Sequence, residues 1–313
     1  MATYLVTGGA GFIGSNIAKT LVKRGEKVRV LDNLSTGKEE NLAAIRHSIT
    51  FIKGDIRDVE TVNDAVAGVD YVIHQAALPS VPRSIKDPIS SNNVNVNGTL
   101  NLLMASRENK VRRFVMASSS SVYGNTPRLP KEETMALKPL SPYATSKLAA
   151  ETYAMNFYSL YGLPTVALRY FNVFGPHQDP ASQYAAVIPK FITAMLQGEP
   201  PVVYGDGEQS RDFTFIDNVV EANLLACTSE KAAGHAMNVA CGGRFTLNQL
   251  IEILEKIMDR KANAIYADPR PGDVKHSHAA IDLARDLLGY EPGVSFEDGL
   301  RQTVEWYQQK LSK

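Results

Sequence analysis

The stretch over residues 3–14, TYLVTGGAGFIG, constrains the fold of this 313-residue chain more than any other. It predicts a short apolar strand, a glycine turn and the start of a helix, with the glycines spaced G-x-x-G-x-x-G rather than G-x-G-x-x-G. Such a turn lets the backbone approach a phosphate, and the free N–H groups of a helix N-terminus favour a pyrophosphate. A tight turn without a ligand is the alternative. We predict a dinucleotide site at Gly8, Gly11, Phe12, Ile13 and Gly14.

The segment after this loop supports the dinucleotide interpretation. An amphipathic run over 16–23 stops at Gly25, and an apolar strand over 28–31 ends at Asp32. A carboxylate about 20 residues beyond a glycine loop is placed to hold the hydroxyls of a ribose. The alternative for Asp32 is a turn former ahead of Asn33.

Short apolar strands continue to alternate with helical patterns through the first half of the chain. Strands are predicted at 50–53, 71–74, 113–117 and 166–169, and helices at 59–67, 94–107 and 142–161. This alternation predicts an α/β fold, a Rossmann-type doubly wound parallel sheet with helices on both faces. The carboxyl ends of its strands would converge at one edge and bind the ligand there. Those ends hold Asp32, Asp55, Ile56, Ala76, Ala77, Ser118 and Ser119.

From about residue 173 the pattern loosens and prolines interrupt it. We predict strands at 202–204, 236–239 and 264–266, mixed with helices at 184–196, 219–227, 247–258 and 296–309. This pattern is typical of a smaller mixed α/β lobe that closes a cleft. We therefore predict a cofactor domain over 1–173 and a substrate-binding lobe over 174–313, interleaved with the first.

The bulk composition excludes several classes of partner. Lys plus Arg and Asp plus Glu are both 33, which leaves no net charge to attract nucleic acid or an anionic membrane. No stretch approaches the ~20 apolar residues of a membrane span, and we expect no signal peptide. Cys227 and Cys241 lie in apolar contexts and are expected to be core residues. A cytoplasmic protein is the expectation.

Tyr143 and Lys147 lie four apart on the predicted helix 142–161 and therefore share a face. A phenol with a pKa of ~10 is a poor base at neutral pH. An ammonium group ~4 Å away contributes roughly 4 kcal/mol at an effective dielectric of ~20, which is up to about three pKa units. Tyr143 is thus a candidate general base, with a hydroxyl of the run 118–121 facing the same substrate oxygen. The alternatives are a surface Tyr–Lys pair and a polar turn.

These motifs together carry a resemblance that spans essentially the whole chain. The glycine loop, Ser119 ahead of the triplet VYG, the Tyr143-x-x-x-Lys147 pair and the segment RYFN over 169–172 resemble an extended short-chain dehydrogenase/reductase. More narrowly, HQAALPSVPRSI, LRYFNVFGP, QDPASQYAAVIPKF and GDGEQSRDFTFIDNVV are similar to UDP-hexose 4-epimerases, in particular bacterial UDP-N-acetylglucosamine 4-epimerases. The resemblance implies NAD as cofactor, a UDP-sugar as substrate, and a homodimer formed by helices 94–107 and 142–161.

The resemblance also implies a mechanism. Tyr143 takes the proton of the sugar 4-hydroxyl while hydride passes from C4 to NAD, Ser119 hydrogen-bonds the same oxygen, and Lys147 holds the nicotinamide ribose and lowers the pKa of the phenol. The 4-keto sugar turns over, and hydride returns to its other face. No net oxidation results.

The implied binding residues fall into two groups. Those toward the cofactor are Gly8, Gly11, Phe12, Ile13, Gly14, Asp32, Asn33, Asp55, Ile56, Ala76, Ala77, Asn95, Tyr143, Lys147 and Tyr170, of which Asn95 has a purely structural alternative. Those toward the substrate are Ser80, Val81, Ser119, Tyr143, Asn172, Val187, Tyr204, Arg211, Arg270, Asp273 and Ser277. An arginine fork suits the diphosphate, although surface ion pairs with Asp212 and Asp273 are the alternative for the two arginines.

Ser277 bears on the sugar. It falls where family members restricted to glucose and galactose carry a tyrosine, so a serine leaves room for a 2-acetamido group; the alternative is a turn cap. His276 and His278 form an H-x-H without a third ligand in spacing, so we predict no metal site.

Other members of the fold remain as alternatives. A 4,6-dehydratase needs an acid and a base after the serine strand, and a decarboxylase tends to carry a glutamate there, where this chain has Ser120 and Ser121. A UDP-glucuronate 4-epimerase stays open. An NADP reductase is disfavoured because Asp32 would repel a 2′-phosphate and the nearest cation is Lys38. A non-catalytic dinucleotide-binding scaffold would be expected to lose the Tyr143–Lys147 pair.

Overall fold

The computed structural model describes residues 1–180, 186–269 and 275–311. Its strands are β1 (Thr3–Thr7), β2 (Lys27–Asp32), β3 (Ile49–Lys53), β4 (Tyr71–His74), β5 (Arg113–Ser119), β6 (Thr165–Tyr170), β7 (Val173–Phe174), β8 (Val202–Tyr204), β9 (Ser210–Arg211), β10 (Thr214–Phe215), β11 (His235–Val239), β12 (Phe245–Thr246) and β13 (Ile265–Ala267). Its α-helices are α1 (Phe12–Lys23), α2 (Val59–Val66), α3 (Val81–Lys86), α4 (Pro88–Asn92), α5 (Gly98–Glu108), α6 (Pro142–Tyr161), α7 (Val187–Gln197), α8 (Ile216–Thr228), α9 (Leu247–Met258), α10 (Asp282–Leu288) and α11 (Phe296–Leu311).

Seven parallel strands form the central sheet in the order β11-β6-β5-β4-β1-β2-β3. The chain runs outward from β1 to β3 and then crosses to β4, so the strand order reverses between β1 and β4. Ligands of such sheets bind at this switch point. The predicted Rossmann-type doubly wound fold is confirmed.

The position of β11 corrects one expectation. The sequence pattern assigned this strand to the second lobe, whereas it pairs with β6 as the seventh strand of the central sheet, with His235 opposite Val166. A strand of five residues carries no sign of its partner, because pairing over this sequence distance depends on tertiary packing. The chain therefore returns to the cofactor side after residue 174, as the predicted interleaving requires, and the boundary at 173/174 stays a prediction.

Local signals set the ends of the helices that were predicted best. Helix α6 has the predicted bounds because Ser141 caps its first turn by accepting from the N–H of Ala144, and Gly162 ends it in the left-handed conformation at φ 68°. Helix α9 also has the predicted bounds and starts at a capping box of Thr246 and Gln249.

Other helices differ from prediction. The predicted helix 94–107 is α5 preceded by a π-helical turn over Asn93–Asn97. Helix α7 begins at Val187, and the start predicted at 184 lies outside the described residues. The sequence pattern did not predict the short helices α3, α4 and α10 or the 3₁₀ segment Glu39–Ser48. Each of them is too short to show a helical period of apolar residues.

Helices cover both faces of the sheet. Alternate residues of each strand point to opposite faces, so Val30 packs with α1 while Leu31 packs with α2 and α5. Buried Phe157 of α6 joins the second cluster. Both cysteines are free, and Cys227 is buried in the first cluster.

The remaining short strands pair two by two, β7 with β10, β8 with β13 and β9 with β12. The rings of Phe174, Phe213, Phe215, Phe245 and Phe296 pack together beside them, with centroids 4.3–6.3 Å apart. This aromatic group is continuous with the core on the α1 side of the sheet. In the described part of the chain, no helix is long and apolar enough to cross a membrane.

Candidate active site

A cavity of about 1050 Å³ opens at the carboxyl edge of the sheet, at the switch point between β1 and β4. Segments that follow β1 to β5 line it, together with one face of α6. Most of the residues that the sequence singled out meet there: Gly8, Gly11, Phe12, Ile13, Gly14, Asp32, Asn33, Asp55, Ile56, Ala76, Ala77, Ser119, Tyr143, Lys147, Tyr170 and Asn172. The rule that ligands bind at the carboxyl ends of parallel strands predicted the strand-end members of this set. Helical spacing added Tyr143 and Lys147, and the family resemblance added Tyr170 and Asn172.

The glycine loop forms a cradle of backbone. Gly8 has φ +65°, and its carbonyl accepts from the N–H of Gly11 at 3.0 Å. A Cβ on Gly14 would lie 2.3 Å from that carbonyl oxygen, so no side chain fits there. Helix α1 starts next to the loop without a side-chain cap. An uncapped helix N-terminus open to a cavity is suited to a pyrophosphate, so these residues fit a dinucleotide.

Asp32 shapes the neighbouring part of the cavity. Its side chain is buried, with Oδ2 accepting from the N–H of Ala10 at 2.9 Å and Oδ1 from the N–H of Leu34 at 2.8 Å. Burial raises the pKa of this carboxyl, and the two backbone hydrogen bonds oppose the rise. Because each oxygen keeps a second lone pair, the carboxylate can still accept from ribose hydroxyls.

A second carboxylate lies at the far end of the same wall. Asp55 accepts two hydrogen bonds from the guanidinium of Arg57, one from the backbone N–H of Arg57 and one from Asn33, at 2.7–2.9 Å. The Arg57 contact is the largest cause of a lowered pKa, so Asp55 is ionised at neutral pH.

Tyr143 and Lys147 face the cavity from α6, opposite the end of β5. The Nζ of Lys147 donates to the carbonyl of Ala117 at 2.8 Å, and burial lowers the pKa of this amine to about 8. Burial raises the pKa of Tyr143, and the side chain of Ser119 opposes that rise. In this arrangement burial is the largest influence on the phenol, and the role of Lys147 in lowering its pKa stays a prediction.

Asn95 lies behind the wall of the cavity. It is buried; its Oδ1 accepts from the N–H of Leu78 at 2.8 Å, and its Nδ2 donates to the Oγ of Ser146 at 3.0 Å. These bonds join the loop after β4 to α6. The structural alternative accounts for both of these contacts, and a role of Asn95 toward the cofactor stays a prediction.

Several predicted substrate residues are not in the cavity wall. Ser80 caps α3 by accepting from the N–H of Arg83 at 3.2 Å, and Arg83 rather than Ser80 lines the cavity. Val81, Val187, Tyr204, Arg211 and Ser277 also lie outside the lining. Arg270 and Asp273 lie outside the described residues.

Asn172 connects the cavity to this outer group. Its Nδ2 donates to the Oγ of Ser277 and to the carbonyl of Asp212, both at 3.2 Å. The guanidinium of Arg211 donates to the carbonyl of Lys275 at 3.1 Å. Burial, then the charges of Arg244, Lys275 and Arg211, lower the pKa of His276. Arg211, Arg244 and Lys275 therefore lie close enough to His276 for their charges to affect it.

The sequence reasoning missed part of the wall. Gln75 donates to the hydroxyl of Tyr170 at 3.0 Å, and buried Asn223 donates to the same hydroxyl at 2.8 Å. Gln75 could have been predicted from the sequence, because it lies between His74 and Ala76 at the end of a predicted strand. The lining over 34–38 follows β2 directly and could have been found by the same rule, whereas His177, 145 residues further along the chain from Asp32, gave no such signal. Among the described residues, no three His, Cys, Asp or Glu side chains come together in a group that could hold a metal ion.

Comparison with known proteins decides the family. Residues 4–240 match the sequence profile of the NAD dependent epimerase/dehydratase family. The chain belongs to this family. NAD is therefore its cofactor, in agreement with the glycine cradle and Asp32.

Solved structures and curated sequences match over nearly the whole chain. A UDP-N-acetylglucosamine 4-epimerase from Methanobrevibacter ruminantium M1, solved with UDP-N-acetylmuramic acid, is 45% identical with a TM-score of 0.95, and the match covers 99% of each chain. A UDP-glucose 4-epimerase from Thermotoga maritima, solved with UDP-glucose, is 40% identical with a TM-score of 0.94 and the same coverage. A putative UDP-glucose 4-epimerase of Methanocaldococcus jannaschii is 38% identical over 96% of this chain and 97% of its own.

Proposed function

We propose that this family member interconverts UDP-N-acetylglucosamine and UDP-N-acetylgalactosamine at C4, with UDP-glucose and UDP-galactose as further candidate substrates. The observation that carries the proposal is that Ser119, Tyr143 and Lys147 line one cavity together with the glycine cradle. The 45% identity to a UDP-N-acetylglucosamine 4-epimerase supports the choice of sugar.

Tyr143 is the proposed general base and Ser119 its partner on the substrate. The phenolate takes the proton of the sugar 4-hydroxyl, and Ser119 holds that oxygen with a hydrogen bond. When bound, NAD supplies the hydride acceptor and a cationic ring whose charge opposes the burial that raises the pKa of Tyr143. Lys147, fixed by the carbonyl of Ala117, adds positive charge on the same side. Tyr143 later returns the proton to the same oxygen, so the chain needs no further acid.

Arg211 and Asn172 are the proposed contacts to the diphosphate, and Ser277 the contact beside the sugar. A guanidinium binds phosphate oxygens in a planar, bidentate manner. Lys275 and His276 add basic groups at the same place. A diphosphate held here and a sugar held by few hydrogen bonds would let the sugar turn while the nucleotide stays.

Elimination chemistry is the second candidate, and the contacts of Ser121 disfavour it. A dehydratase needs a carboxylic acid and a carboxylate after the serine strand. In this chain the Oγ of Ser121 donates to the Oγ of Ser119 at 2.9 Å, so a hydroxyl occupies that place. The hydroxyl of a serine keeps its proton at neutral pH, so Ser121 cannot act as the base that elimination requires.

We also propose a homodimer formed through α5 and α6. Met104 on α5 and Tyr153, Leu160 and Tyr161 on α6 are 40–71% exposed. Apolar side chains grouped on two neighbouring helices mark an interface. Light scattering of the purified protein should give twice the chain mass of 34.2 kDa, and the mass of one chain would contradict the proposal.

The substrate can be tested without added cofactor. UDP-N-acetylglucosamine, UDP-glucose and UDP-glucuronate are incubated separately with the purified protein, and proton NMR follows the C4 epimers. We expect conversion of the acetylated sugar, which would also indicate retained NAD. Conversion of the uronate alone would replace the proposal by a uronate epimerase. No conversion of any of the three after NAD is supplied would refute the epimerase proposal.

A further inference from the structure

A polar network lies buried beneath the cavity, and the proposed reaction does not use it. Its members, which we call the buried relay, are Ser118, Tyr123, Glu151, Arg169 and Asn238. Each is at most 4% exposed, which is unusual for an arginine and a glutamate. They come from β5, from the turn after it, from α6, from β6 and from β11.

The hydrogen bonds of the buried relay run outward from Arg169, which donates both to Glu151 and to Tyr123. The Oγ of Ser118 donates to Glu151 at 2.6 Å, and Arg169 donates to both carboxylate oxygens of Glu151 at 2.5 and 3.0 Å. Arg169 also donates to the hydroxyl of Tyr123 at 2.8 Å. Because an arginine can only donate, the proton of that hydroxyl goes to the Oδ1 of Asn238 at 2.7 Å.

One end of the buried relay is firmly anchored. The Nδ2 of Asn238 donates to the carbonyls of Lys131 and Ala280, at 2.9 and 3.0 Å. Glu133 accepts from the backbone N–H of Asn238 at 2.8 Å. The relay therefore ties β11 to two segments that are distant in sequence, around Lys131 and around Ala280.

The other end reaches Ser119 from both sides. Ser118 precedes it on β5, opposite Arg169 in the register of β5 with β6. Tyr123 closes the 3₁₀ turn Ser120–Tyr123, for which Ser119 is the cap, with its Oγ accepting from the N–H of Ser121 at 3.2 Å. Ser118, directly before Ser119, and Tyr123, four residues after it, thus both make side-chain hydrogen bonds within the buried relay.

We propose that Tyr123, with Arg169 and Glu151, is a positioning residue that holds the hydroxyl of Ser119 in place against Tyr143. This inference rests on the proposed function, in which Ser119 bonds the reacting oxygen. A buried ion pair does not by itself add stability over apolar packing. A polar network whose members are all paired does select one arrangement of the backbone around it, which is what a hydroxyl at a reacting atom needs.

Tyr123→Phe is the smallest change that interrupts the buried relay, because it removes one hydroxyl and leaves the Arg169–Glu151 pair intact. We expect kcat with UDP-N-acetylglucosamine to fall about tenfold, less than the ~100-fold of a 1 Å misplacement, with KM within about twofold. Tyr290→Phe is the matched control, because its equally buried hydroxyl donates to the carbonyl of Ala240 at 3.0 Å, outside the buried relay.

A double-mutant cycle separates positioning from general damage. In a Ser119→Ala background, Tyr123→Phe should cost less than about twofold in kcat, because the group it positions is gone. Equal losses in the two backgrounds, or an equal loss in Tyr290→Phe, would overturn the inference.

Amide hydrogen exchange supplies a readout that needs no turnover. Peptides covering 119–124 should exchange faster in Tyr123→Phe than in wild type or Tyr290→Phe, while those of α1 stay unchanged. Unchanged exchange over 119–124 would overturn the inference, whatever the substrate. Failure of wild type to turn over any UDP-sugar would refute the proposed function, and the exchange result would then decide the inference alone.

Discussion

The cofactor side of the cavity and the proposed sugar side, which extends beyond the cavity wall, are built in different ways. On the cofactor side, the glycine loop, Asp32 and Asp55 each follow directly from a strand of the central sheet. On the sugar side, Asn172, Asp212 and Ser277 come from distant segments that side-chain hydrogen bonds hold together. Backbone geometry and sheet register thus define the cofactor side, whereas long-range polar contacts define the sugar side.

This difference sets what a substitution does on each side. The parallel register fixes the strand ends of the cofactor side, so a change there must disturb backbone to have an effect. The sugar side rests on pairs of two- and three-residue strands, which supply few backbone hydrogen bonds. Single side chains therefore carry more of its geometry, and they can change without loss of the fold.

Tyr143 lies where the two sides meet, and its removal should have the largest effect. Tyr143→Phe keeps the ring and deletes only the hydroxyl, so we expect kcat to fall by roughly 10²–10⁴, the usual contribution of a general base. Bound NAD and the melting temperature should stay near wild type. Tyr153→Phe, on the exposed face of the same helix, is the control. A turnover rate within a few-fold of wild type would remove Tyr143 as the base.

A methyl group in the glycine cradle should rank second. Gly14→Ala places a Cβ 2.3 Å from the carbonyl oxygen of Gly8, and backbone rather than a flexible side chain has to move. We expect the affinity for NAD to fall at least about tenfold, as the loop shifts off the helix N-terminus. Calorimetric titration of NAD into protein from which bound NAD has been removed measures this affinity. A Cβ on Gly293 would meet nothing within 4 Å, so Gly293→Ala should bind NAD normally. Normal NAD binding by both variants would contradict the role of the glycine cradle in holding the cofactor.

The same contrast explains how much could be predicted. Six of the seven strands of the central sheet, the glycine loop, Asp32 and Ser119 were predicted from the sequence, because strand period and strand-end position are local signals. Tyr143 and Lys147 followed from their spacing of four on a predicted helix. The bounds of α6 followed from a cap and a terminal glycine. Local reasoning therefore succeeds wherever the site is a continuation of a strand.

Long-range effects could not be predicted in the same way. The pairing of β11 with β6, the lining by His177 and the link from Asn172 to Ser277 depend on how distant segments pack. Burial raises the pKa of Tyr143, and burial is not visible in a spacing of four residues.

Ser277 gives a smaller effect that is confined to the sugar side. Ser277→Tyr replaces a hydroxyl that accepts from Asn172 at 3.2 Å with a bulky ring. We expect kcat/KM to fall about tenfold more for UDP-N-acetylglucosamine than for UDP-glucose, which corresponds to ~1.4 kcal/mol of steric discrimination. Ser277→Ala separates the lost hydrogen bond from the added bulk. Equal losses on both sugars would refute the role of Ser277 as a size filter.

Asp212 should give the smallest effect, and it appears in stability rather than in rate. Its buried carboxylate accepts from the N–H groups of Cys241 and Ala279 at 3.0 and 3.2 Å, and burial raises its pKa from 3.8 to about 6. A raised pKa means that the folded state binds the proton more tightly, so the stability that this group contributes is present below pH ~3.8 and is lost as pH rises through ~6. The difference is at most about 3 kcal/mol.

The melting temperature of wild type minus that of Asp212→Asn should thus decrease by a few degrees between pH 4.5 and 7.5. Asp64→Asn, at an exposed carboxyl on α2, is the matched control, and its difference from wild type should change less. A difference for Asp212→Asn that is constant or grows with pH would contradict a raised pKa of Asp212 in the folded protein.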